Sequence, residues 1–448
     1  MCTLFPSPGS PCEPGHWVQS AQRRKGTAGE GWDMFFRRGA PRRRTALVGA
    51  ALALAGCHLG ARPVTYELVH DSDWPLGPLA VESGDLDGDG DLDLLVTGTN
   101  GYATLANDGS GGYAVDYSSR HEPSTLHPAL VDVDGDGDLD VVGAVPTTES
   151  SQPTAPAVRR NDGTGALGPV EFVQPDALPG RLTSVTHSDV DRDGDADLLA
   201  SFVVGRERRV GVYLNDSSGA FGTPETFSFR FTSHLGTDAI VVAGDVDGDG
   251  DEDAVATDVG EVALPDGEVA WRPFALLALN DGAGAFTEAH DPVDLAVSGL
   301  GGVVDAPTPA LADLDGDGYL DLAVGGEGTV TTLLADGSGG WQSPRRTAIA
   351  ARTDFIAIAD VDLDGVPDII GFKSDDDALM GVVAYGDGAG GVSDVHEVAT
   401  GTGLGADGTP AREVEVTDIE GDGDPDVVFL AGSLGLLENA LDGGRPNH

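Results

Sequence analysis

The chain has 448 residues, and its 75 acidic side chains outnumber the 25 basic ones to give a net charge of −50. Nucleic acid is excluded as a partner, because phosphate binding needs clustered Lys and Arg and the only lysines are Lys25 and Lys373. A fold held together by disulfides is also excluded, since Cys2, Cys12 and Cys57 are the only cysteines. Because 40% of the residues are hydrophobic, we expect a folded chain whose acids are neutralised by cations.

The first 56 residues have the pattern of an export signal. A basic stretch, "MFFRRGAPRRR", begins at Met34, and the apolar "TALVGAALALAGC" follows it and ends at Cys57. The apolar stretch is shorter than the roughly 20 residues that a membrane-spanning helix needs. Its last four letters, "LAGC", resemble the lipobox of bacterial lipoproteins, in which the Cys is lipidated; an ordinary signal peptide is the alternative. We expect 1–33 to precede the true translation start, 34–56 to be a lipoprotein signal peptide, 57–63 to be a short linker and 64–448 to be the folded domain.

One nine-residue acidic loop occurs seven times in the rest of the chain. It begins as "DLDGDGDLD" at Asp85, and the other copies follow at intervals of 47 to 68 residues. Acids occupy positions 1, 3, 5 and 9, Gly occupies position 6, and position 7 offers its backbone carbonyl. The candidate metal ligands at positions 1, 3, 5, 7 and 9 are Asp85, Asp87, Asp89, Asp91 and Asp93; Asp132, Asp134, Asp136, Asp138 and Asp140; Asp189, Asp191, Asp193, Asp195 and Asp197; Asp245, Asp247, Asp249, Asp251 and Asp253; Asp313, Asp315, Asp317, Tyr319 and Asp321; Asp360, Asp362, Asp364, Val366 and Asp368; and Asp418, Glu420, Asp422, Asp424 and Asp426.

This donor set indicates calcium as the cofactor, with up to seven structural ions. Ca²⁺ prefers about six to eight oxygen ligands, whereas zinc and copper lack their usual Cys and His ligands in these loops. An EF-hand is excluded, because its twelfth position is Glu and the corresponding residue of the first loop is Val96. The first, second, fourth and fifth loops match the pattern best. Whether the third, sixth and seventh loops bind calcium is left open, because they depart from it at Arg192, Leu363 and Glu420.

The sequence around each loop predicts a four-stranded antiparallel sheet. An apolar strand A precedes the loop, a β-type strand B follows it, and strands C and D surround a Gly-rich turn such as "NDGSGGY" at Asn107. Seven such units predict an all-β fold, a seven-bladed β-propeller. The last unit lacks a strand D, and "VTYELVHDS" before the first loop supplies one, so we expect the N-terminal strand to complete the last blade and close the ring.

These loops and their spacing resemble the FG-GAP or VCBS repeats of bacterial surface proteins and are similar to the seven-bladed head of integrin α-subunits. The resemblance implies a module for protein binding, adhesion or scaffolding. With the export signal and the lipobox, we expect this module to be lipid-anchored and extracytoplasmic, at the outer membrane or cell surface. Its partner is then an unidentified protein or glycan, membrane contact occurs only through the lipid, and the chain is a monomer. A carbohydrate-binding propeller is the alternative. A hydrolase is less favoured, because no catalytic motif is found.

The topology of a blade also predicts where a ligand binds. The acidic loops and the Gly-rich turns share one face, and the longer segments 145–158, 257–274 and 399–416 are expected as loops on the opposite face. Trp74, Trp271 and Arg272 are candidate contact residues there.

Overall fold

The computed structural model describes most of the domain that the sequence predicts. Every described residue belongs to one unit, Gly49–His448. The expected signal peptide, the linker and Cys57 lie outside the described residues. The described ranges are 66–72, 78–98, 101–120, 125–146, 153–174, 178–229, 239–263, 269–295, 307–352, 355–375, 378–399, 413–430 and 434–439.

Within these ranges the secondary structure consists of β-strands joined by turns, and no helix occurs. Accordingly, the described part of the chain contains no helical segment with the length and apolar character needed to cross a membrane. The strands form seven separate antiparallel sheets, which are the blades of a β-propeller. The all-β fold class and the number of blades are as predicted.

In the first four blades the strands pair in chain order, from strand A to strand D. In blade 4 the outermost position is divided between two short strands that both pair with strand C. Blade 1 has β2 (Pro78–Gly84), β3 (Asp93–Gly98), β4 (Gly101–Asn107) and β5 (Tyr113–Arg120); blade 2 has β6 (Leu126–Val131), β7 (Asp140–Pro146), β8 (Pro153–Arg159) and β9 (Glu171–Phe172). Blade 3 has β10 (Arg181–Ser188), β11 (Asp197–Val204), β12 (Glu207–Tyr213) and β13 (Glu225–Phe229); blade 4 has β14 (Ile240–Gly244), β15 (Asp253–Ala263), β16 (Val269–Leu279), β17 (Thr287–Glu288) and β18 (Val293–Asp294).

The last three blades include the predicted ring closure. The first described strand pairs antiparallel with the last described strand, so it is strand D of blade 7. Blade 5 has β19 (Pro309–Ala312), β20 (Asp321–Gly325), β21 (Glu327–Leu333) and β22 (Arg345–Arg352); blade 6 has β23 (Ile356–Ala359), β24 (Asp368–Asp375), β25 (Ala378–Gly386) and β26 (Val392–Ala399). Blade 7 has β27 (Glu413–Thr417), β28 (Asp426–Leu430), β29 (Leu434–Asn439) and β1 (Tyr66–Ser72).

The hydrophobic core lies between neighbouring blades. Strands B and C form the middle of each sheet and are covered on both faces, which is why they are nearly continuous apolar runs such as Leu94, Leu95 and Val96. Seven clusters of buried side chains each join two adjacent blades, including blade 7 to blade 1. At the junction of blades 6 and 7, for example, the rings of Phe372 and Phe429 stack with centroids 4.4 Å apart. The ring is therefore packed around its whole circumference.

One segment expected as a loop forms a long hairpin instead. Most of the segment 257–274 belongs to β15 and β16, which have 11 residues each. Strand A of blade 4 pairs only as far as Thr257, whereas the β15–β16 pairing continues to Ala263 opposite Val269. Because Asp253 begins β15 at the acidic loop, this extension projects on the opposite face. The segments 145–158 and 399–416 likewise begin and end in strand and have their central residues outside the described ranges.

Candidate metal centres

All seven acidic loops occupy the same place in the fold. Each loop connects strand A to strand B of its blade: the first Asp directly follows strand A, and the ninth Asp is the first residue of strand B. Blade 1 is representative, with Asp85 after β2 and Asp93 opening β3. The ligand sets predicted from the sequence are thus placed at one repeated position, one per blade.

The sharp course of the loop results from hydrogen bonds between its own carboxylates and backbone. In the first loop Asp85 accepts bonds from the N–H groups of Gly88 and Gly90, at 2.8 and 3.1 Å. Position 6 is Gly in every loop, with φ between +89° and +96°, a region that L side chains avoid. Position 4 is also left-handed, including at Arg192 (φ +60°) and Leu363 (φ +57°). The third and sixth loops therefore follow the same backbone course in spite of their departures in sequence.

The ninth Asp of each loop has a structural role that the motif did not reveal. Asp197 is fully buried, and its two carboxylate oxygens accept hydrogen bonds from the N–H groups of Val190 and Asn215, at 3.1 and 2.7 Å. The same pair of bonds recurs in every blade: one bond comes from loop position 2, and the other comes from the first residue of the Gly-rich turn in blades 1 to 6 and from Asn439 at the end of β29 in blade 7. The ninth Asp thus joins the acidic loop to the end of strand C of its own blade.

Burial raises the pKa of these ninth-position carboxylates. Desolvation is the largest cause, and the neighbouring carboxylates of the loop add to it, while the backbone N–H groups oppose it. The pKa of Asp93 is raised, and that of Asp368 is raised to about 7. The pKa is raised to about 6 at Asp140, Asp197, Asp253, Asp321 and Asp426. A bound cation at these loops would remove much of this cost.

The carboxylates converge as metal ligands must. In the first, third, fourth and fifth loops, oxygens of the acids at positions 1, 3 and 9 lie within 4.8 Å of one another. Asp134 Oδ1 and Asp191 Oδ1, both at position 3, are buried, and no described group donates a hydrogen bond to them. At position 7 the side chains of Asp91 and Asp251 lie beside a glycine of the Gly-rich turn. Their backbone carbonyls are therefore the groups left to bind a metal ion in the loop. An all-oxygen donor set of this kind fits Ca²⁺.

Asparagine side chains tie five of the seven loops to the next blade, a role that sequence reasoning missed. Asn215 Nδ2 donates to Val133 O at 2.8 Å, which links the turn of blade 3 to the loop of blade 2. Asn107 Nδ2 makes the equivalent bond to Ile419 O, also at 2.8 Å, across the ring closure. The available signal was that Asn precedes Asp-Gly or a close variant in several of the turns. The remaining bonds of this type join Asn161 to Leu86, Asn280 to Val190 and Asn439 to Val361.

The second and seventh loops differ from the others in a residue outside the nine-residue motif. We term the pre-turn position the residue directly before the one at the end of strand C whose N–H donates to the ninth Asp; in blades 1 to 6 it directly precedes the Gly-rich turn. At this position blade 2 has Arg160, whose Nη1 lies 2.5 Å from Asp134 Oδ2. Blade 7 has Glu438, which hydrogen-bonds to Glu420. The pre-turn residues of blades 1 to 7 are Ala106, Arg160, Leu214, Leu279, Leu334, Tyr385 and Glu438.

The candidate contact residues on the opposite face lie partly on the extended hairpin of blade 4. Trp271 and Arg272 belong to β16, and Arg272 Nη1 lies 2.8 Å from Asp294 Oδ2. The base of the hairpin is held by a buried ion pair, in which Arg208 Nε of blade 3 lies 2.7 Å from Asp258 Oδ2. Trp74 is outside the described residues.

A ring of seven blades with an Asp-rich loop between strands A and B defines the class of protein, and the sequence comparisons give the family. A model of the FG-GAP-like repeat matches residues 85–143, 132–200, 189–256 and 313–371, which is more than half of the chain. The chain belongs to the FG-GAP repeat family. No protein of curated function matches it in sequence.

Solved structures with the same fold come from proteins of different kinds. One is a lectin of Agrocybe aegerita described by its recognition of non-reducing terminal N-acetylglucosamine; it is 23% identical, with 71% of this chain and 80% of that chain covered and a TM-score of 0.50. Another is BBS1N in complex with ARL6DN, at 11% identity, 83% and 96% coverage and a TM-score of 0.51. At these identities the likeness shows the fold alone.

Proposed function

We propose that this chain is a calcium-stabilised β-propeller that acts as a binding or scaffolding module rather than as an enzyme, with a protein as its ligand. The observation that carries the calcium proposal is the repetition of one geometry seven times. Each loop ends in a buried Asp, and in the first five loops three carboxylates converge within 4.8 Å of one another. Like charges a few ångströms apart oppose folding unless a cation compensates them.

Thermal unfolding tests the calcium proposal. Each ion bound only by the folded chain stabilises it by about 2.7 kcal/mol when free calcium exceeds Kd 100-fold. Several sites acting together should therefore raise the melting temperature strongly in millimolar CaCl₂ relative to EDTA. An identical midpoint in the two solutions would refute the proposal.

A matched pair of variants locates the effect in the loops. Asp315→Asn keeps the side-chain oxygen that accepts from Asp317 N–H but removes the charge from the converging group of the fifth loop. We expect it to reduce the number of bound calcium ions by one. Glu225→Gln removes the same charge from the exposed start of β13 and should leave the count unchanged. The count can be measured by equilibrium dialysis and elemental analysis.

We further propose that the chain is exported and held to the cell envelope by a lipid on Cys57. Support comes from the order of basic, apolar and small residues that ends at this cysteine. Expression of the full chain in a bacterial host fed a labelled fatty acid should give a labelled, membrane-associated protein. Cys57→Ser should abolish the label; retention of the label would refute the anchor.

The extended hairpin of blade 4 is the surface that we propose for the protein ligand. It projects on the face opposite the acidic loops, carries Trp271 and Arg272, and is anchored by the buried Arg208–Asp258 pair. The calcium-loaded domain should capture a protein from envelope extract, and Trp271→Ala should weaken capture, whereas Phe172→Ala on the edge strand β9 should not. Binding on a glycan array without protein capture would instead support the carbohydrate-binding alternative.

A further inference from the structure

We propose that Arg160 supplies the cation of the second loop, so that this loop takes up a guanidinium in place of the calcium ion that its motif predicts. This inference rests on the proposed calcium binding of the other loops. The guanidinium nitrogen Nη1 lies 2.5 Å from Asp134 Oδ2 and 3.8 Å from Asp140 Oδ2. These are the acids at positions 3 and 9, whose counterparts converge in four of the other loops.

The guanidinium is held in place from several sides. Its Nη2 donates a hydrogen bond of 3.0 Å to the carbonyl of Gly219 in the turn of blade 3, and Nε lies 3.8 Å from Glu171 Oε2. A methyl group added at Gly219 would collide with the guanidinium. The Arg160 side chain is only 25% exposed. It is therefore a fixed part of the junction between blades 2 and 3, unlike a freely moving surface arginine.

The equivalent position elsewhere shows what Arg160 replaces. Leu214, Leu279 and Leu334 occupy the pre-turn position of blades 3, 4 and 5, and each lies against a glycine of the turn in the following blade. These leucines fill the same space between blades without bringing a charge to their loops. Arg160 fills that space with its guanidinium, which lies against Gly219, and it therefore places a permanent positive charge among the acids.

The carboxylates of the second loop converge in a different set from those of four other loops. In the first, third, fourth and fifth loops the three converging acids stand at positions 1, 3 and 9, whereas in the second loop they are Asp132, Asp134 and Asp136, at positions 1, 3 and 5. Asp140 is missing from the convergent set of its own loop. A Ca²⁺ ion at the usual point needs oxygens of both Asp134 and Asp140 at about 2.3–2.6 Å, so it would compete with the guanidinium for them and be repelled by it.

A reciprocal pair of substitutions tests the inference by counting bound calcium. Arg160→Leu introduces the residue found in blades 3 to 5, and it should raise the number of ions per chain by one. Leu279→Arg places a guanidinium beside the fourth loop, and it should lower the number by one. The counts are obtained by equilibrium dialysis with elemental analysis and by native mass spectrometry. Equal, non-zero counts for the wild type and Arg160→Leu would overturn the inference while leaving the calcium proposal intact.

Melting curves test the stabilising role of Arg160 separately from calcium binding. In EDTA the Arg160→Leu variant should melt at a lower temperature than the wild type, because its second loop has lost its cation. In millimolar CaCl₂ the difference should shrink, because an ion takes the place of the guanidinium. Unchanged melting in EDTA would overturn the inference. If the wild type and the Leu279→Arg variant both bound no calcium, the proposed function would be refuted instead. The melting temperatures in EDTA would still test whether Arg160 supplies the cation of the second loop.

Discussion

The second and seventh loops have the same backbone course and opposite electrostatics. In the second loop the pre-turn Arg160 brings a positive charge to Asp134 and Asp140. In the seventh, burial and hydrogen bonds to Asp426 and Glu438 raise the pKa of Glu420 to about 9. These electrostatics favour a bound cation in the seventh loop over the second. The nine-residue motif suggests the opposite, since the second copy matches it well and the seventh departs from it. The charge of a loop is therefore set partly by the residues at the end of strand C, about 20 residues further along the chain.

The largest effect in this comparison is expected from removing the ninth Asp. Asp426→Ala leaves the buried N–H groups of Ile419 and Asn439 without their acceptor, and Asp140→Ala does the same to Val133 and Asn161. At about 1–3 kcal/mol per unpaired group, each variant should lose about 2–6 kcal/mol of unfolding free energy.

Urea unfolding in EDTA measures these losses without a contribution from calcium. Asp138→Ala, at position 7 of the second loop, is the control and should stay within about 0.5 kcal/mol of the wild type, as surface substitutions usually do. A ninth-position variant as stable as this control would contradict the structural role of the carboxylate.

A smaller effect is expected in the pH dependence of stability. The pKa of Glu420 in the folded chain, about 9, is above its ordinary value of 4.5, so the folded state binds a proton that the unfolded state releases. In EDTA the unfolding free energy should therefore fall as pH rises from 6.5 to 9. Glu420→Gln should flatten this part of the profile, whereas Asp134→Asn, at the same position of the second loop, should not. If the unfolding free energies of the two variants changed with pH in the same way, the proposed contrast between the loops would be wrong.

The smallest effect is expected from the asparagine links between blades. Asn161→Ala removes the bond to Leu86 O from the turn beside Arg160, and Asn439→Ala removes the bond to Val361 O from the end of β29 beside Glu438. Each should cost about 1 kcal/mol, and the two losses should be similar, because both bonds are between an amide and a buried carbonyl. Ala335→Asn in blade 5, which lacks this amide, should be neutral or stabilising. Clearly unequal losses would show that the neighbouring charge alters the link.

The repeat made most of the fold predictable. Seven acidic loops, alternating apolar strands and Asn-Asp-Gly turns indicated the number of blades, and the missing strand of the last unit indicated that the N-terminal strand closes the ring. The hairpin of blade 4 was misinterpreted, because "TDVGEVALPDGEVAWRPF" was expected as a loop although its Pro-Asp-Gly sequence is a turn signal between two strands.

The candidate sites were less predictable than the fold. The motif located the acids, but Arg160 and Glu438 reach their loops only through the antiparallel pairing of strands B and C, so their spacing in sequence carries no signal of contact. Asn215 contacts a loop 82 residues away, in the preceding blade. Relations of this kind depend on which blades are neighbours, and no window of local sequence contains that information.

The pairing of β1 with β29 also determines when the ring can close during synthesis. The ribosome produces β1 first of all the described strands and β29 last, and Tyr66 must wait for Asn439 before it has a partner. Until then the nascent chain has two unpaired edges, one on β1 and one on blade 7, both able to pair with a foreign strand. Such a long contact separation slows folding. Productive assembly therefore requires the chain from β1 to β29 to be intact, and a truncation that removes either strand leaves an open, aggregation-prone arc.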